Sequence, residues 1–328
     1  MSHAGKRACN NRDDERRCPI GDATENVAHG GYDRNVMTNP RLPIRVFYTD
    51  AMVADAQSFS PSAHKPAEVV LSWQGLGVDV EILAPAPVTL EQLCRAHDRD
   101  FVTGVLGGKR KNGFGNASSA VARSLPFTSG AMLAAARAAI DNRAVAVAPC
   151  SGFHHAGYDH AGGFCTFNGL MVAACALHEE DAVGRVGILD FDEHWGDGTD
   201  DIIERLRAGW IRHYSAGAHW QDPDQAEAFL GEIPRLVGAM RDCDVILYQA
   251  GADPHVDDPL GGWLTTEQLR ERDRRVFESG QRLGVPIAWN LAGGYQEPLS
   301  KVLEIHDNTM RECERVYGGK DGRSAPSR

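Results

Sequence analysis

No apolar run in this chain approaches the roughly 18 residues that a membrane-crossing helix needs, which excludes a helical span. The eight cysteines include no Cys-x-x-Cys pair, so a structural zinc knuckle has no support. Cys150, Cys165, Cys175 and Cys243 sit in or beside apolar segments, where reduced, buried thiols belong, and this points to the cytoplasm. Basic residues are outnumbered: 34 Lys and Arg stand against 45 Asp and Glu. The resulting net charge of −11 disfavours non-specific nucleic-acid binding and suits a cationic substrate. Residues 1–43 are rich in Arg, Asp, Asn and Gly and lack the apolar centre of a secretory signal, so they read as a disordered extension. Residues 319–328 read as a flexible tail. No internal repeat is present. Residues 44–318 remain, and a chain of this size can bury the core of one large α/β domain.

Within that region short apolar runs alternate with longer helical patterns. Strands are predicted over 44–49, 78–83, 144–148, 186–191, 210–214, 245–249 and 286–291. Helices are predicted over 66–74, 130–141, 168–180, 225–241 and 266–284. Alternation of this kind implies a mostly parallel central sheet with helices on both faces. In such sheets the ligand site lies beyond the carboxyl ends of the strands. The Gly107–Asn116 stretch, with Lys109, Arg110 and Lys111 among glycines, reads as an exposed basic loop.

The segment after Val186 carries the strongest chemistry. Asp190, Asp192 and His194 stand at alternate positions where the apolar run ends, so they leave the strand in one direction. An Asp-x-His pair there can offer an oxygen and an imidazole nitrogen to one divalent metal. Gly196-Asp197-Gly198 then lets the chain turn sharply. A plain strand-to-helix turn capped by Asp197 or Thr199 is the competing reading. Three further segments follow predicted strands: Ser151–Cys165 with His154-His155, Gln249–His255 with Asp253, and Leu291–Tyr295 with Gly293-Gly294.

Taken together and in this order, the four segments resemble the histone deacetylase family, which includes acetylpolyamine amidohydrolases and acetoin-utilisation proteins. The matching pieces are His154-His155-Ala156, Gly163-Phe164-Cys165, Asp190-Phe-Asp-Glu-His194, Gly251-Ala-Asp253 with Asp258-Pro-Leu-Gly261, and Gly293-Gly-Tyr295. The resemblance spans about residues 44–315 and implies the three-layer arginase/deacetylase α/β fold. It implies Asp192, His194 and Asp253 as ligands of Zn²⁺, with Fe²⁺ or Co²⁺ as alternatives. It implies His154 and His155 as the acid/base pair, backed by Asp190 and Asp197, and Tyr295 as a phenolic donor to the carbonyl oxygen. A structural potassium ion beside Asp190 is also implied. Phe164 becomes one wall of a tunnel for an aliphatic stem, and Gly152 leaves room for acetate to escape.

The expected reaction is hydrolysis of an N-acyl amide by attack of metal-bound water, on a small-molecule or peptide substrate resembling acetyl-lysine or an acetylpolyamine. No nucleic-acid or membrane partner is expected. Departures from the family pattern bear on specificity. The segment before Trp220 is short where the family presents a second tunnel aromatic, so His219 or Trp220 is expected to form the opposite wall. Asn116 stands where many members hold substrate with an acidic residue, and Trp195 follows His194 where many carry a second His. The rival readings are another N-acyl amine hydrolase, a binuclear manganese ureohydrolase, and an acyl-amine binder with weak or no catalysis.

Overall fold

The computed structural model describes residues 43–318. The expected N-terminal extension (Pro43 apart) and the expected tail over 319–328 lie outside the described residues. The strands are β1 (Ile44–Phe47), β2 (Val80–Leu83), β3 (Val145–Ala148), β4 (Val186–Asp190), β5 (Ile211–Ser215), β6 (Val245–Gly251) and β7 (Ile287–Ala292). They form one sheet in the order β2-β1-β3-β7-β6-β4-β5. Every pair in it is parallel, where the sequence led us to expect a mostly parallel sheet.

The helices are α1 (Lys65–Gly75), α2 (Leu90–Ala96), α3 (Arg99–Leu106), α4 (Ser119–Asn142), α5 (Gly169–Glu179), α6 (Asp197–Leu206), α7 (Ala226–Gly238), α8 (Thr266–Leu283) and α9 (Ser300–Tyr317). Alternate strand residues feed two cores, as the period of two requires. Val147, Ile246, Tyr248, Ile287 and Trp289 pack with α1, α7, α8 and α9 on one face. Ala146, Val245, Leu247 and Ala288 pack with α2 to α5 on the other. The central strands β3, β4, β6 and β7 are buried along their whole length, which is why they read as continuous apolar runs.

All five expected helices are present. α4, however, begins at Ser119, well ahead of residue 130, because Ser118 caps it and Pro126 is accommodated inside it. α2, α3, α6 and α9 were not anticipated. α2 and α3 are short and start at side-chain caps from Thr89 and Asp98. α6 has Asp197 and Asp200 in its first turn, where the helix dipole favours negative charge. The topology places the site: β3, β7, β6 and β4 are consecutive in the sheet, so the four chemistry-bearing segments leave neighbouring carboxyl ends.

Candidate active site

Asp190 is the last residue of β4, and Asp192 and His194 lie in the bend that follows it. Asp253 follows β6 and Tyr295 follows β7. Two glycines let these ends crowd together. A Cβ on Gly251 would lie 2.5 Å from the Asp192 Cα, and one on Gly293, whose φ is +45°, would lie 2.0 Å from the Asp253 Cγ. No side chain can be added at either position without displacing a site residue.

One ligand atom each from Asp192, His194 and Asp253 lies within 4.8 Å of the others. The His194 Nδ1 is 3.3 Å from Asp192 Oδ1 and 3.2 Å from Asp253 Oδ2. Despite that short contact, Asp253 Oδ2 is buried and has no hydrogen bond of proper geometry. Burial and the charge of Asp192 push the Asp253 carboxyl above its usual range. For Asp192, burial is outweighed by His154 and His194, which hold it low. Two buried carboxylates this close, one oxygen of them unpartnered, are costly unless a cation lies between them. Two oxygens and one imidazole nitrogen suit a divalent metal with positions left open, so these residues fit one.

The imidazole pair sits beside this group. His154 Nδ1 bonds Asp190 Oδ2 at 2.8 Å, and its Nε2 is 3.5 Å from Asp192 Oδ1. Asp190 is fully buried and also accepts from Ser215 Oγ, Gln249 Nε2 and the Asp192 amide. His155 Nδ1 bonds the exposed Asp197 at 2.7 Å. The two rings are 4.0 Å apart, and His155 is 5.8 Å from the His194 ring. Burial would lower His154, but Asp192 and Asp190 overcome it and raise it to about 9. Burial and the neighbouring His154 charge lower His155.

Tyr295 is fixed by its backbone N–H, which donates to Asp258 Oδ2 at 2.7 Å. Its ring lies 5.6 Å from Phe164. Burial, then the charges of Asp253 and Asp192, push its phenol far above the ordinary value, so it keeps its proton. Gly152, with φ +81°, lines one narrow cavity together with His154, His155, Asp192, His194 and Tyr295. It also lines a second cavity with Phe164. Outside the metal-site cavity lies an open cleft of about 680 Å³ whose lining includes Glu193, Asp197, Asp258, Trp195, Val256 and Leu260.

Neither His219 nor Trp220 lines the cavities at the site. Trp220 packs on Phe229 at 5.7 Å and donates to the Tyr214 hydroxyl, while His219 stacks on Tyr214 at 5.4 Å. The aromatic core beneath the short loop captures Trp220, while His219 remains exposed on Tyr214. Trp195, Val256 and Leu260 form the apolar part of the cleft instead, and Phe59 joins Phe164 at 5.2 Å. Asn116, which stands where many family members carry an acidic residue, bonds within the chain, to Asn112, the Ala56 carbonyl and the Ser118 amide.

Several residues at the site were not foreseen. Lys65 is fully buried and donates to the Gly293 carbonyl, and burial lowers it to about 8 against the opposing pull of Asp253, Asp192 and Asp258. Glu193 is buried with one oxygen unpartnered, and Arg272 is buried behind the ligand strands. The six described cysteines are free thiols, and no helix among the described residues is long and apolar enough to cross a membrane.

Residues 60–208 match the histone deacetylase domain. Acetylpolyamine amidohydrolase 2 of Pseudomonas aeruginosa is 53% identical over 199 residues, which cover 50% of this chain. The match covers 54% of that relative, so the chain spans about half its length. Two solved structures share the fold. The HDA15 HD domain has a TM-score of 0.66 at 19% identity, covering 84% of this chain and 92% of that one. The acetylpolyamine aminohydrolase of Burkholderia pseudomallei has a TM-score of 0.64 at 17% identity, covering 83% of this chain and 99% of that one. Both likenesses are to the arginase/deacetylase fold. The sheet, the order of the segments and these matches agree: the chain is similar to the histone deacetylase-like family.

Proposed function

We propose that this protein is a metal-dependent amidohydrolase that removes the acyl group from an acetyl-lysine-like or acetylpolyamine-like amine. The observation that carries this reading is the convergence of Asp192, His194 and Asp253 within 4.8 Å, in a cavity also lined by His154, His155 and Tyr295. Zn²⁺ is the favoured metal, with Fe²⁺ or Co²⁺ as alternatives. A divalent ion held there would polarise the amide carbonyl and acidify water.

The chain's own groups divide the remaining work. His155 Nδ1 is engaged by Asp197, so its Nε2 is the nitrogen that accepts the proton of the attacking water and then gives it to the amine nitrogen as the C–N bond breaks. His154, kept cationic beside two carboxylates, supplies positive charge next to the reacting carbonyl. Asp190 holds it in place with a hydrogen bond. The Tyr295 phenol donates to the carbonyl oxygen as charge builds there. The carboxylates of Glu193, Asp197 and Asp258 around the open cleft favour an amine that carries a second positive charge.

A bell-shaped pH dependence follows. His155 must be neutral, and its lowered value puts the acid limb below the ordinary histidine value of about 6.5. His154 must be charged, so activity falls as pH rises through its value of at most about 9, which a bound dication would bring down. A kcat/KM profile that rises monotonically through pH 9 would remove His154 from this role.

The deciding experiment assays metal-reconstituted protein against acetyl-lysine peptides, free acetyl-lysine and acetylpolyamines. At least one class should be hydrolysed, with activity lost to a chelator and restored by Zn²⁺, Co²⁺ or Fe²⁺. Undiminished activity in metal-free protein would refute the metal's part. Tight binding of acyl amines without turnover would make the protein an acyl-amine binder.

A further inference from the structure

Arg272, on α8, is fully buried. Its Nη1 donates to the Phe191 carbonyl at 3.0 Å and to the Gly251 carbonyl at 2.7 Å. Phe191 immediately precedes Asp192, and Gly251 stands two residues before Asp253. The β4–β6 register ends at Asp190 opposite Gln249, so the guanidinium bridges the two strands just past their last pair, where they part to present the ligands. The group is itself anchored. Its Nε donates to Asp273 Oδ1 at 2.8 Å, and Asp273 also accepts from the Tyr248 hydroxyl on β6 and from Thr309 Oγ1 on α9. A rigid planar fork held by a fixed carboxylate sets a distance; a flexible ammonium does not. Its positive charge also acts on Asp253.

We propose that Arg272 is a positioning residue for the cation site: by clamping the Phe191 and Gly251 carbonyls it fixes the separation of the strand ends that carry Asp192 and Asp253, and thereby sets metal affinity. This rests on the metal-dependent reading above. A merely structural buried arginine would support the fold equally with and without metal. A positioning residue has its largest effect when metal is bound.

The test titrates full-length wild type, Arg272→Met and Arg272→Lys with Co²⁺, following its visible absorption. Thermal unfolding is measured for each with and without Co²⁺. Arg272→Met should weaken Co²⁺ binding by about 10–100-fold, the usual cost of losing a group that orients ligands. Arg272→Lys should lose less. The rise in Tm that Co²⁺ confers should shrink in the same order, because that rise follows metal affinity. If Tm falls equally with and without Co²⁺ while affinity is unchanged, the proposal is overturned. If Arg272→Met does not fold, Arg272→Lys decides. Failure of both to fold would assign Arg272 to the fold alone and overturn it too. Wild type that binds no Co²⁺ would instead overturn the metal-site reading, and this inference with it.

Discussion

Asp253→Ala protein should retain no stoichiometric zinc and lose activity beyond the about 10–100-fold that a supporting residue costs. The reason lies in what Asp253 does without a metal. Its Oδ2 is buried beside His194 Nδ1 and makes no hydrogen bond, so the fold gains nothing from that oxygen. Burial and the Asp192 charge raise its pKa. A raised carboxyl binds its proton more tightly when folded than when unfolded. The metal-free fold therefore loses stability as pH rises from the ordinary carboxylate range, about 3.9, through the raised folded value. Replacing Asp253 should remove that slope, leaving metal-free protein at neutral pH no less stable than wild type. Metal content by elemental analysis and metal-free unfolding at several pH values check both halves. Full metal occupancy in the variant would dismiss Asp253 as a ligand. A large loss of metal-free stability at neutral pH would mean that its carboxylate supports the fold.

Asp190, Asp192 and His194 stood out because they alternate where an apolar run ends, and it was the family resemblance that joined Asp253 to Asp192 and His194, three residues whose ligand atoms lie within 4.8 Å of one another. The central strands were legible because burial on both faces leaves continuous apolar runs. What was missed has a common physical origin: local sequence does not say which way a polar or aromatic side chain turns. Arg272 sits in a run of charges, Arg270 to Arg275, that reads as a solvated helix face. Yet it shares the buried stripe of Leu269, Val276 and Phe277, and that helical spacing was the available signal. Lys65 stands at the start of α1 before Pro66, where a lysine is ordinarily exposed, and only the tertiary approach of the Gly293 carbonyl buries it. The opposite error befell Trp220. A shortened loop with an aromatic suggested a tunnel wall, but Phe229 and Tyr214 offered the ring a core position and a hydrogen-bond acceptor. Packing a tryptophan against an aromatic core with its N–H satisfied outweighs lining an open cleft.

Tyr295→Phe should lower kcat by about 10²–10³-fold while leaving metal content and Tm near wild type. The substitution keeps the ring, which packs 5.6 Å from Phe164 and 6.3 Å from Phe59, and keeps the backbone bond to Asp258. The hydroxyl has no hydrogen-bond partner among the described residues, so its loss leaves no buried group unsatisfied. What disappears is a donor. Burial and the nearby carboxylates raise the phenol's pKa, so at neutral pH it keeps the proton it can donate in a hydrogen bond to a substrate oxygen in the cavity. That bond strengthens as the carbonyl becomes an oxyanion, so the loss should fall on kcat more than on KM. Zn²⁺-reconstituted wild type and variant, compared under saturating and limiting substrate, separate the two. An unchanged kcat would assign Tyr295 to packing, and a loss confined to KM would make it a substrate-binding residue whose contact is no stronger in the transition state than in the ground state.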